Sequence, residues 1–111
     1  MDKLDTYRRI LQEMIGRYAE YASGAREIET IPVFDTVHDH YLLVHLGWDQ
    51  TGRVHSIPMH FRIKGGKIWA EWDGTDEELV QQLLDAGVPK EDIVLAFYHP
   101  EHRAITEFAA A

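Results

Sequence analysis

Seven histidines among 111 residues are the first side chains to weigh, because imidazole ligates metals readily and titrates nearest neutrality. They stand as His38-x-His40, His45, His55, His60 and His99-x-x-His102. A histidine pair with one carboxylate can hold zinc or iron and activate a water. His45 and His60 fall on the mixed face of two neighbouring predicted strands. One reading is therefore a metal-dependent hydrolase or nuclease using His45, His60 and a nearby carboxylate. No helical H-E-x-x-H accompanies them, and the competing reading is of surface histidines in ordinary hydrogen bonds. Glu71-x-Asp73 offers a divalent-cation site beside Asp35 or Asp49, but no lysine or histidine stands at the spacing needed to activate water. Ser23 and Ser56 lie outside any G-x-S-x-G elbow. Gly16 and Gly65-Gly66 lack the spacing and the Lys-Ser/Thr ending of a phosphate loop. The residues assemble no catalytic motif, and no cofactor is expected.

The elements that must position these groups are legible in the periodicity. Leu4, Tyr7, Leu11, Met14, Tyr18 and Tyr21 step by threes and fours, with Ile10 and Ile15 widening the stripe. That is an amphipathic helix, with Asp2 or Asp5 at its start and Ser23-Gly24 as its end. From residue 28 the period becomes two. Ile31, Val33 and Asp35 mark a first strand, which Pro32 assigns to a sheet edge or a strand start. His38-Asp39 is a turn. Strands follow over His40 to Asp49, Arg53 to Lys64 and Lys67 to Asp73, with Asp49 to Gly52 as one turn and Gly65-Gly66 as a two-residue hairpin. Thr75 to Glu78 fits a capping box opening a second helix, with Leu79, Val80, Leu83 and Leu84 buried and Gly87 as its C-terminal cap. Ile93 to Phe97 reads as a buried strand, and Glu101 to Ala111 as an irregular tail. The expected fold is α+β in one domain over residues 1–111: a helix, a four-stranded antiparallel meander, a second helix, a short strand and the tail.

The alternation also predicts faces. Leu42, Val44, Leu46 and Trp48 form the better core candidate, and Trp48 and Trp72 are expected to point inward. The other face carries Tyr41, Leu43, His45, His60, Arg62 and Trp69. If exposed, an apolar patch of that kind more often marks a protein partner or a self-interface; the competing readings are a plain core or helix-covered face and, against the net charge, stacking on single-stranded nucleic acid. A meander with such a face needs a cover from a helix or a second subunit, and a symmetric dimer is the commonest solution of the latter kind.

Composition narrows the classes further. Nineteen acidic and eleven basic residues leave a net charge of −8, and there is no cysteine. A disulfide framework, a thiolate nucleophile and a Cys-ligated metal are all excluded. No apolar run approaches the roughly 18 residues of a membrane span, and the N-terminus has no signal-peptide pattern. These features place the protein in the cytoplasm. The acidic balance argues against broad DNA-backbone binding. Arg8, Arg9 and Arg17 on one helix face offer the one local basic patch that would allow it.

Several motifs resemble a known family. They are Met1-Asp2-Lys3-Leu4-Asp5-x-Tyr7-Arg8, Phe34-Asp35-Thr36-x-x-Asp39-His40-Tyr41 and Gly47-Trp48-Asp49. Lys67-Ile68-Trp69, Asp73-Gly74-Thr75, the run from Gly87 to Leu95, and Arg103, Thr106 and Phe108-Ala109 continue the pattern. Together they resemble the XisI-like family, the type I fdxN-element excision controlling factors, over essentially the whole chain. Ala104 and Glu107 stand where that family's tail is often proline-rich. The resemblance implies a small α+β protein from a cyanobacterial-type genome, associated with programmed excision of a DNA element by a site-specific recombinase. It implies an accessory role beside an H-type companion that resembles a nuclease fold. It supplies no catalytic residues.

Overall fold

The computed structural model describes residues 2–22 and 27–111. The expected end of the first helix at Ser23-Gly24 lies outside them. The order is α1 (Lys3–Ala22), β1 (Ile28–Asp35), β2 (His40–Asp49), β3 (Gly52–Lys64), β4 (Lys67–Asp73), α2 (Leu79–Asp85), a single 3-10 turn (Lys90–Asp92), β5 (Ile93–Leu95) and α3 (Pro100–Arg103). The strands form one sheet in the order β1-β2-β3-β4-β5. β1 to β4 are an antiparallel meander. β5 returns beside β4 in the parallel sense, pairing Ile68 with Ile93 and Ala70 with Leu95.

Helix α1 buries Tyr7, Leu11, Met14, Ile15 and Ala19, and the Asp2 carboxylate caps it by accepting the Asp5 N–H at 2.8 Å. Its apolar stripe packs on Tyr41, Leu43, Met59, Phe61, Ile63, Ile68 and Ala70, and α2 completes this core with Leu79 and Leu83. Both helices therefore cover the same face of the sheet. At the β3–β4 hairpin, Gly65 and Gly66 have φ of 60° and 77°. That is the two-residue turn whose twist suits a hairpin, and it needs glycine's freedom. Pro32 lies in the edge strand β1, as a residue with no N–H must. On the other edge the tail adds a bridge from Ala109 to Val94.

Three sequence expectations are corrected. Helix α2 begins at Leu79, and no side chain caps it: its N-cap, Glu78, has φ 50°. The Thr75 hydroxyl instead accepts the Glu77 N–H and donates to Asp73, closing a turn before the helix. The last strand stops at Leu95, leaving Phe97 38% exposed. The largest correction concerns the sheet faces. Tyr41 and Leu43 are fully buried under α1, whereas Trp48 and Trp72, expected inside, are 61% and 55% exposed.

Candidate interaction face

Because α1 and α2 both lie on one face, the other is left without either of them, and Arg103 of α3 reaches it, over Trp69. Pairing defines its members. Leu42 lies opposite His60, and His40 opposite Arg62. Directly opposed residues share a face, so these point away from Phe61 and Met59, which face the helices. Val44 and Leu46 follow Leu42 by alternation and are half-buried. On β1, Ile31 and Val33 sit opposite Val44 and Leu42. The result is an aliphatic centre with no helical cover.

Two bulges set the rest of the face. From Leu43–Met59 to His45–Ser56, β2 advances two residues while β3 advances three. This breaks the simple alternation of β3 and leaves Ile57, two residues before the buried Met59, 47% exposed. From Phe61–Ala70 to His60–Trp72, β4 carries one extra residue, Glu71. That extra residue turns Trp72 to the His60 side.

His40 Nδ1 and His60 Nε2 are 3.0 Å apart, so one nitrogen donates a proton to the other. Burial pushes His60 below its ordinary pKa, and the neighbouring His40 adds to the effect. Farther along, Arg62 Nε donates to Glu71 at 2.7 Å. The Trp69 indole N–H donates to the Lys64 carbonyl at 3.1 Å. The Trp69 ring has Arg62, Lys64 and Arg103 within 4.8–5.6 Å of its centre, a close gathering of cations around one indole. Arg103 is held there by the carbonyls of Tyr98 and Ala96.

The six residues predicted as a partner face are thus divided. His60, Arg62 and Trp69 share the uncovered face. Tyr41 and Leu43 are core. His45 lines a shallow hollow with Tyr18, Tyr21 and Thr30, on the helix side. His45 and His60 consequently lie on opposite faces of the sheet, so they cannot bind one metal ion. Among the described residues no group of three or more His, Cys, Asp or Glu is placed to hold a metal. Glu71 is engaged by Arg62 and Asp73 by Thr75. The members missed from the sequence are His40, Leu42, Val44 and Trp72. Their apolar alternation is visible in β2, but it does not reveal which face the helices cover.

Of the three arginines expected as a basic face on α1, Arg8 and Arg9 meet carboxylates. Arg8 reaches the β1–β2 turn, donating Nε to Asp39 Oδ1 at 2.8 Å and Nη2 to Oδ2 at 3.2 Å. It also pairs with Asp5. The Tyr41 hydroxyl donates to the same Asp39 carboxylate. The Arg8 contact holds the Asp39 carboxyl below its usual pKa range, and burial with that carboxylate pushes the Tyr41 hydroxyl up to about 12. Arg9 lies 4.0 Å from Glu13. From the same first two turns of α1, the Tyr7 hydroxyl and Lys3 both bind Asp92, tying the helix to the segment before β5.

Two helices packed on one face of a five-stranded sheet define a two-layer α+β protein. The model of the family described as "XisI protein" matches residues 1–110, and the chain belongs to that family. It is similar to the fdxN element excision controlling factor XisI from Anabaena variabilis ATCC 29413. That crystal structure is 40% identical with a TM-score of 0.86, covering 99% of this chain and 100% of the other. A XisI-like protein from the same organism is 31% identical with a TM-score of 0.91, again covering 99% and 100%. No curated protein matches the chain.

Proposed function

We propose that the protein is a non-catalytic controlling factor of DNA-element excision that acts by binding an H-type, nuclease-like companion protein. The observation that carries this reading is the uncovered sheet face, with its aliphatic centre of Leu42, Val44 and Leu46 and an exposed Trp72. In projection, four strands at about 4.8 Å and about nine residues at about 3.3 Å give roughly 600 Å². Side-chain relief brings this toward the roughly 800 Å² per partner of a stable interface. Family membership and the similar Anabaena excision controlling factor support the process. The absence of cysteine from the chain agrees with action in the cytoplasm, and no described helix is long and apolar enough to cross a membrane. Direct DNA contact is not part of the reading, since Arg8 and Arg9 already face carboxylates.

Self-association through the same face is the second reading. Both sheet edges are blunted, by Pro32 on β1 and by the Ala109 bridge on β5. Growth of the sheet edge to edge is thereby disfavoured, leaving face-to-face contact. Light scattering behind size exclusion, at micromolar concentration and low salt, tests both. The protein mixed with the H-type companion should elute as one species with the summed mass of a defined complex. Two unchanged separate masses would refute companion binding, and a monomer mass for the protein alone would refute self-association.

A further inference from the structure

The acidic balance of this chain makes its unpaired cations conspicuous. Lys3, Arg8, Arg9 and Lys90 each meet a carboxylate within 4.0 Å. Among the described residues, Arg17, Arg53, Lys64, Lys67 and Arg103 meet no side-chain carboxylate within that distance, Lys67 lying instead on the Ala111 carbonyl oxygen. Lys64 and Arg103 share one indole, that of Trp69 on the uncovered face. Arg53, over the Trp48 ring at the far end of β2, is similar. Arg17 lies away from the sheet, on α1.

Arg103 is the most informative of these. Its Nε and Nη2 are spent on backbone carbonyls at 2.9 and 3.1 Å, which fixes the guanidinium without neutralising it. Arg62, alongside, is fixed by Glu71. One carboxylate therefore stands among three cations around a single indole. Next to them on the same face are Trp72, 55% exposed, and the aliphatic centre.

We propose, resting on the reading of the chain as a protein-contact factor, that this face docks a partner segment in which apolar or aromatic side chains are flanked by carboxylates. The apolar groups would lie over Leu42, Val44 and Trp72, and the carboxylates over Lys64, Arg62 and Arg103. A second copy fits less well, because an isologous contact brings like-charged cation clusters into one interface. Single-stranded nucleic acid fits less well too. The Trp69 ring that would stack a base is already taken by cations, and the centre of the face is aliphatic rather than aromatic.

The test uses the protein labelled with nitrogen-15 and observes its indole N–H signals, assigned with single Trp→Phe variants. The probes at low salt are a glutamate–tyrosine copolymer, polyglutamate and a ten-residue oligothymidylate. The copolymer is expected to move the Trp69 and Trp72 signals, more strongly than polyglutamate and with an affinity that falls as salt rises. The double variant Lys64→Glu/Arg103→Glu should lose at least tenfold in that affinity while its remaining spectrum shows an intact fold. Oligothymidylate binding as tightly as the copolymer would overturn the proposal in favour of nucleic acid. Indole signals that move only with protein concentration would overturn it in favour of a second copy. No response to any probe would also overturn it. The H-type companion separates the two readings. If the wild-type protein ignores the companion yet binds the copolymer, companion binding fails and the docking chemistry stands. If the double variant binds the companion as well as wild type, the docking chemistry fails and companion binding stands.

Discussion

The two faces of the sheet are built from almost the same kinds of residue and end up in opposite circumstances. Strand β2 offers Tyr41 and Leu43 on one side and Leu42, Val44 and Leu46 on the other. The first pair is fully buried under α1, and the second set carries no helix. Apolar content alone therefore does not tell the two sides apart. The apolar stripe of α1 packs on the Tyr41 side, and polar ties from its first two turns join it there: Arg8 clamps Asp39 beside Tyr41, and Tyr7 and Lys3 hold Asp92 near β5. The same apolar composition is thus core on one side of the sheet and uncovered on the other.

Substitutions on the two faces should separate them sharply. Phe61→Ala, on the covered face, removes a fully buried ring and should cost about 3–5 kcal/mol. Trp72→Ala removes a larger side chain that is already more than half exposed, and should cost about 1 kcal/mol or less. Urea denaturation of the two variants measures the contrast, and equal losses would break it.

The clamp is the next largest effect. Asp39→Asn retains a residue that tolerates the φ of 60° found there. It removes the charge facing Arg8, and should cost about 1–2 kcal/mol at neutral pH. The Asp39 carboxyl titrates lower in the folded protein than its unfolded value of 3.8. Its contribution is present above that value and is lost as pH falls through the folded pKa. The gap between wild type and Asp39→Asn should therefore close in acid, as followed by thermal melts from pH 6 to pH 2.

The smallest effect belongs to the uncovered face. His60 titrates below its unfolded value of 6.5 because it is partly buried and beside His40. The unfolded chain then takes up a proton first as pH drops. Stability is full above pH 6.5 and declines as pH falls through the folded pKa. His60→Gln should flatten that slope between pH 7 and pH 5 in denaturant titrations. A partner seated on the face, burying His60 further, should steepen it.

Much of this fold was legible in the chain. The three- and four-residue steps of α1, the alternation of the meander, the Gly65-Gly66 turn and the edge position of Pro32 all follow from local rules. The capping box misled because Thr75 is used by Asp73 and Glu77 in a turn before α2. The faces were misassigned for a different reason. A period of two separates two sides but cannot say which one a distant helix will choose. The bulges at β3 and at Glu71 then moved Ile57 and Trp72 out of the pattern that Met59 and Ala70 continue. Of the six residues expected as a partner face, His60, Arg62 and Trp69 do fall on one side of the sheet, because β3 and β4 keep their alternation between Phe61 and Trp69. The Arg8–Asp39 and Tyr7–Asp92 ties span 31 and 85 residues, and no local pattern announces contacts so distant in sequence.

The central claim is that the bare face is the working surface. Val44, half-buried at its centre and away from the helices, allows the most direct test. Light scattering should be run on wild type and Val44→Glu, each mixed with the H-type companion, after melting curves establish that both are folded. The account predicts a defined complex for wild type and separate masses for the folded variant. A folded Val44→Glu protein that forms the same complex as wild type would contradict it.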